Sequence, residues 1–108
     1  MSGKRLHPNT YRTFRSMLED YRPPHPVRMI CSPNLFLEQQ AWGLTTPLFG
    51  KRHGTRFRIE LLPQTTDQEI EVLAHEYAHV LAWPHSGGLH SPLWGVYYAT
   101  LYSEYVDG

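Results

Sequence analysis

The fold is decided by residues 72–83, which read VLAHEYAHVLAW. The pattern H-E-x-x-H, from His75 to His79, lies inside this run of apolar, helix-forming residues. Residues four apart share one face of a helix, so the two imidazoles can point at one ion while Glu76 lies beside them. Zinc chemistry requires such ligands, together with a carboxylate that handles the proton of a bound water. The stretch therefore predicts a helix that carries a metal site.

The apolar residues of this helix fall on the side opposite to the motif. At about 100° per residue, the packing side collects Ile70, Leu73, Ala74, Tyr77, Val80 and Leu81. Thr66 and Glu69 have the spacing of a capping box at the start of the helix. Pro84 is expected to end the helix after Trp83. One side is thus predicted to pack and the other to carry the chemistry.

A catalytic zinc site usually has a third protein ligand, and three residues are candidates. His85 follows the helix closely, His90 precedes a second helix that Ser91 is predicted to cap, and Glu104 lies late in that helix. We favour His90, because a helix end fixes a ligand better than a flexible loop does and Gly87-Gly88 allows the chain to turn back. His85 and Glu104 remain alternatives.

The rest of the chain predicts one α+β domain over residues 1–108. The expected elements are a helix over about 10–22, strands over 26–32, 41–46 and 55–62, the motif helix, and a last helix from 92 to about 105. The third strand alternates cleanly, with Phe57, Ile59 and Leu61 on one side. Residues 35–44 are ambiguous between helix and strand. Short connections predict an antiparallel meander or a mixed sheet.

Charge is unevenly distributed along the chain although the formal net charge is zero. All ten Lys and Arg residues lie at or before Arg58, and seven of the ten acidic residues follow it. Such asymmetry can mark a basic face for nucleic acid. We favour the simpler interpretation that the two halves interleave in the folded domain.

The single cysteine, Cys31, excludes an internal disulfide, and its apolar neighbours predict a buried, inert thiol. No signal-peptide pattern is visible and no apolar run approaches the length of a membrane span. We therefore expect a cytoplasmic, monomeric protein with no membrane partner.

A second motif, His90-Ser91-Pro92-Leu93-Trp94, follows the first after a short loop. A motif helix, a short loop, and a His followed by a small residue and then an aromatic resemble the SprT-like zinc metallopeptidases and the related minimal gluzincins. The resemblance covers about residues 69–98. It implies a zincin-like core with one zinc ion on His75, His79 and His90, and Glu76 as the general base. His85 is an extra histidine that the family pattern does not contain.

The function expected from these residues is zinc-dependent hydrolysis of peptide bonds in a protein substrate. Glu76 would take a proton from the attacking water and deliver it to the leaving amine. Tyr97 or Tyr98 is the candidate stabiliser of the oxyanion. An extended substrate could add to a sheet edge formed by Trp42–Thr46 or by Thr55–Leu62.

Two other functions are compatible with the sequence. The chain could be a zincin-fold module that binds metal without peptidase activity, although a structural site does not require the carboxylate of Glu76. It could also associate with DNA through its arginine-rich first half, which is the more weakly supported partner.

Overall fold

The chain folds around a small sheet with the motif helix packed against one face. The computed structural model describes residues 5–52, 54–86 and 90–108, and for residues 84–86 the backbone alone. The elements are α1 (Pro8–Asp20), β1 (Val27–Cys31), α2 (Leu35–Gln39), β2 (Gly43–Gly50), β3 (Gly54–Leu61), α3 (Thr66–Ser86) and α4 (Pro92–Leu101), followed by a π-helical turn (Tyr102–Val106). The described residues thus contain four α-helices and three strands, which confirms the α+β class.

The sheet is mixed, with the strand order β1-β3-β2. β1 runs parallel to β3, and β2 pairs antiparallel with β3 through a hairpin. Gly54 has a φ of +68°, a conformation that a side chain would disfavour. The ambiguous segment resolves into α2, which separates β1 from β2 in the chain. The expectation that Thr55–Leu62 could offer a free sheet edge is wrong, because β3 is the central strand and pairs on both sides.

The core lies between the sheet and α3. Its fully buried members include Phe57, Ile59 and Leu61 from β3 and Leu73, Ala74, Tyr77 and Val80 from α3. The predicted alternation of β3 and the predicted packing side of α3 are therefore confirmed. Burying each large apolar side chain stabilises the fold by about 1.5–3 kcal/mol. Tyr77 also donates its hydroxyl to the carbonyl of Tyr21 at 2.6 Å, which ties α1 to α3.

The capping box at the start of α3 is one residue earlier than predicted. Thr65 accepts from the amide of Gln68 at 3.3 Å, and the side chain of Gln68 reaches back to the amide of Thr65. The carboxylate of Glu69 is instead fully buried and accepts from the Thr10 hydroxyl at 2.6 Å. It also accepts from the amides of His7 and Gln64, both at 2.9 Å. Hydrogen bonds to Thr10, His7 and Gln64 thus replace the capping role that was predicted for Glu69.

Three helix ends differ from the sequence expectations. α1 begins at Pro8 rather than near residue 10, since proline suits the first helical position. α3 continues past Pro84 to Ser86, so the expectation that Pro84 ends the helix after Trp83 is wrong. The last helix reaches beyond Tyr105 but changes to π-helical geometry after Leu101.

No helix in the described part of the chain is both long enough and apolar enough to cross a bilayer.

Candidate metal centre

Three histidines from two helices converge on one point. His75 and His79 lie one turn apart on α3, and His90 immediately precedes α4. One nitrogen from each imidazole lies within 4.8 Å of the others. The Nε2 atoms of His79 and His90 are 3.1 Å apart. The structure therefore brings together the three residues that the sequence favoured as ligands.

Trp94 holds two of these histidines. Its ring stacks on His90 with a centroid separation of 4.1 Å and an angle of 19°. Its indole N–H donates to the carbonyl of His75 at 3.2 Å. Ser91 caps α4 by accepting from the amide of Trp94 at 3.1 Å, as predicted. Trp94, the aromatic residue of the second motif, thus helps to hold the histidine cluster in place.

The three imidazoles are ligands that zinc accepts, and the shortest distance between their nitrogens fits one zinc ion. Two ligands of a tetrahedral zinc, each about 2.0–2.1 Å from the metal, are about 3.3 Å apart. The 3.1 Å separation between His79 and His90 is close to that value. Burial lowers the pKa of His79 and so favours the neutral imidazole, which is the form that binds metal. The Nδ1 atom of His79 is buried and has no hydrogen-bond partner among the described residues.

The carboxylate of Glu76 is held from two sides. The side chain is buried, with the residue only 6% exposed. Its Oε1 atom accepts from the hydroxyl of Thr45 at 2.7 Å, and its Oε2 atom lies 3.0 Å from Nδ1 of His75. Thr45 belongs to β2, so the edge strand fixes the orientation of an acid that α3 carries.

β2 approaches α3 closely enough to exclude a side chain at Gly43. A Cβ atom there would lie 2.5 Å from Cγ1 of Val72 and 3.0 Å from Cγ of Glu76. The first distance is shorter than side chains tolerate, so any larger residue must displace these neighbours. Gly43 is therefore required for the contact between the strand and the acid.

A cleft of about 360 Å³ opens beside this acid. Its lining residues are Ala41, Trp42, Gly43, Glu71, Val72, His75, Glu76 and Tyr98. Of the two candidate tyrosines, Tyr98 lines the cleft, with its ring 5.6 Å from that of His75. Burial raises the pKa of Tyr98, which keeps its hydroxyl protonated as a donor. Tyr97 is half-buried against the core and does not line the cleft.

The two alternative ligands have different outcomes. Glu104 lies in the π-helical turn, where its carboxylate beside Tyr21 raises the pKa of that phenol. Glu104 is not among the residues that group around the histidines. The side chain of His85 and the turn at Gly87-Gly88 lie outside the described residues.

The cysteine and the arginines lie away from the metal centre. Cys31 is partly buried, and burial raises the pKa of its thiol, in agreement with an inert role. One hollow of about 430 Å³ on the sheet is lined by Arg28, Arg56 and Arg58 and by no acidic residue. A second, of about 800 Å³, is lined by Arg5, Arg12 and Arg15, again without an acid. The charges are not fully segregated, however, because Oε2 of Glu60 lies 3.7 Å from Nε of Arg58, as the simpler interpretation expects.

Sequence reasoning missed the roles of three residues on or just before β2. Gly43 carried a usable signal, since a glycine inside a predicted strand often marks a close backbone approach. Thr45 and Trp42 carried none, because neither residue type is distinctive in a strand. The chain matches no protein-family model, no curated protein and no solved structure, so the site stands on its own geometry.

Proposed function

We propose that this protein is a zinc-dependent metallopeptidase that hydrolyses peptide bonds of protein substrates. The observation that carries the proposal is the buried carboxylate of Glu76 beside a cluster of three imidazoles, at the wall of an open cleft. A structural metal site has no use for an acid so placed, whereas hydrolysis requires a base. The zincin-like core and the SprT-like relationship are part of this proposal.

His75, His79 and His90 would hold the ion, which supplies an activated water and polarises the scissile carbonyl. Glu76 takes the proton of the attacking water on its carboxylate and delivers it to the departing amine nitrogen. The Tyr98 hydroxyl donates a hydrogen bond to the developing oxyanion.

The substrate would bind as an added strand. β2 is an edge strand, and its first residue, Gly43, lines the cleft. An extended peptide alongside β2 gains main-chain hydrogen bonds and passes in front of Glu76. Of the two edges expected from the sequence, only the one formed by Trp42–Thr46 is free for this role.

Metal content and activity, measured on the same samples, test the proposal. We expect about one zinc per chain in the purified protein, metal-dependent cleavage of casein, loss of cleavage on chelation and recovery on adding zinc. Glu76→Gln should retain zinc while its rate falls by at least about 10²–10⁴-fold. Zinc binding without cleavage by the wild-type chain would favour the non-catalytic metal-binding module. A cytoplasmic monomer is the form in which we propose that the enzyme acts.

A second candidate function is binding of a nucleic acid, and the hollow on the sheet favours it. Arg28 and Arg58 are direct partners across β1 and β3, and Arg56 lies two residues away. Like charges directly opposite each other destabilise a sheet. Glu60 forms an ion pair with Arg58 at 3.7 Å, but it does not line the hollow, which an anionic ligand could therefore enter.

This candidate predicts binding of a labelled single-stranded DNA that weakens steeply with salt. The double variant Arg28→Ser with Arg56→Ser should reduce both the affinity and the salt slope, while Arg22→Ser, which lies outside both hollows, serves as the matched control. Absence of binding at low salt would remove this candidate.

A further inference from the structure

We infer that the cleft beside Glu76 selects substrates by one bulky apolar side chain, which binds against Trp42. This inference rests on the proposed peptidase function and names its substrate class. It concerns the walls of the cleft rather than the reacting groups.

The walls of the cleft are mostly apolar. Ala41, Trp42, Val72 and the ring of Tyr98 provide this surface. The volume of about 360 Å³ is at the lower end of the range for ligand pockets, about 300–1,000 Å³. A cleft of this size accommodates one large side chain with its adjoining backbone rather than a folded partner.

The position of the cleft relates its occupant to the reaction. His75 and Glu76 form part of the same wall, so a group bound there is next to the scissile bond. Side chains of an extended peptide alternate between opposite directions. A peptide paired with β2 would therefore direct alternate side chains towards this cleft.

An exposed aromatic pair extends the apolar surface beyond the cleft. Trp42 is 53% exposed and Phe36 is 45% exposed, and their ring centroids are 5.2 Å apart. Contiguous exposed apolar surface beside a cleft is typical of a binding site. A peptide that occupies the cleft would cover part of this pair.

Charge at the cleft disfavours acidic side chains. Glu71, which is exposed, and Glu76 both line it, and no lysine or arginine does. A substrate carboxylate placed there would meet only negative charge. We therefore expect an order of preference from aromatic to small to acidic residues.

The test uses the zinc-loaded full chain and three quenched fluorescent peptides in a Gly-Ser background, identical except for one Phe, Ala or Asp. We expect kcat/KM for the Phe peptide to exceed that for the Ala peptide by at least about tenfold, with the Asp peptide slowest and cleavage next to the variable residue. Trp42→Ala should remove the preference for Phe. The matched control is Phe49→Ala, which also truncates an exposed aromatic but lies about 20 Å along β2 from Gly43 and should retain the preference.

Two additional measurements cover the remaining outcomes. If Trp42→Ala does not fold, Ala41→Leu narrows the cleft and should slow the Phe peptide more than the Ala peptide. Equal rates on the Phe and Ala peptides, with cleavage that still requires zinc and Glu76, would overturn the inference and leave the peptidase intact. If neither these peptides nor casein is cleaved, the peptidase proposal fails. Selective binding of the Phe peptide by Glu76→Gln, lost on adding Trp42→Ala, would still support the pocket, and equal binding would overturn it.

Discussion

α3 and β2 meet beside the same cleft, and they contribute different things to the candidate site. α3 supplies the groups proposed to bind metal and to react, His75, Glu76 and His79, at a spacing that a helix fixes by itself. β2 supplies a hydroxyl from Thr45 and a bare backbone at Gly43, which decide where the acid points. A recognisable motif thus predicts which groups react, while a neighbouring strand with no recognisable pattern determines how the acid among them is oriented.

The largest effect should come from breaking the metal centre itself. His90→Ala removes one of three proposed ligands, so we expect loss of zinc and of all hydrolysis. His85→Ala should retain both, and zinc content of the two purified variants is the measurement. Release of the metal by His85→Ala alone would reassign the third ligand.

Gly43→Ala should produce the next largest effect, because either β2 or the side chains of Val72 and Glu76 must move to make room for it. The added methyl group collides with Val72 and Glu76. We expect a loss of about 1–3 kcal/mol in the free energy of unfolding from overpacking. A displacement of the acid by about 1 Å would cost about 10²-fold in kcat.

Gly95→Ala is the matched control for this change. A Cβ atom at Gly95 meets nothing within 4 Å, and the residue lies within α4. Alanine there should stabilise the helix by about 0.5–1 kcal/mol. The measurements are the free energy of unfolding by chemical denaturation and the kcat of the zinc-loaded variants. Equal kcat in Gly43→Ala and Gly95→Ala would show that the close contact at Gly43 does not affect catalysis.

A smaller effect is expected from Thr45→Val, which keeps the shape of the side chain and removes its hydroxyl. Glu76 then loses its donor at 2.7 Å and retains only the contact between its Oε2 atom and Nδ1 of His75, so its orientation is less well fixed. We expect kcat to fall about tenfold, equivalent to about 1.4 kcal/mol, with KM and zinc content unchanged. Thr45→Ser, which keeps the hydroxyl, should recover most of the rate. If Thr45 had only a structural role, both variants would change stability, and kcat would not fall separately from KM.

The smallest effect on catalysis should come from Glu69→Gln, although it changes a buried group of the same helix. The carboxylate of Glu69 accepts from Thr10 and from the amides of His7 and Gln64. The glutamine side chain would place its NH2 group opposite one of these three donors and leave that donor without an acceptor. We therefore expect a loss of about 1–3 kcal/mol in the free energy of unfolding. Zinc content and kcat should remain at wild-type values below the denaturation midpoint; a fall in kcat would mean that the start of α3 is coupled to the site.

Much of α3 and β3 was predictable because their signals are local. The packing residues of α3 recur at helical spacing, and β3 alternates between a buried and an outward-facing side. Local signals were less reliable where a distant partner competed for the same atoms. Glu69 has the spacing of a cap, but the N-terminal segment some 60 residues away binds its carboxylate instead.

The topology of the sheet was not predictable from strand patterns. Short connections left open an antiparallel meander or a mixed sheet; the sheet is mixed, with β3 between β1 and β2, and no strand pattern chose between the two. The choice depends on a parallel pairing between β1 and β3, two segments that are distant in sequence. It also decides which strand keeps a free edge beside the cleft.

The spacing of His75, Glu76 and His79 could be interpreted without the rest of the chain, because a helix converts a separation of four residues into one face. The sequence favoured His90 as the third ligand without excluding His85 or Glu104, and the packed domain was needed to show that His90 lies beside the other two histidines. The packed domain was also needed to show that Tyr98 rather than Tyr97 lines the cleft and that Thr45 orients Glu76. The hydrogen bond between Thr45 and Glu76 spans 31 residues, and its formation depends on how the sheet packs against the helix. Such contacts follow from the packing of the whole core and leave no pattern in the neighbouring sequence.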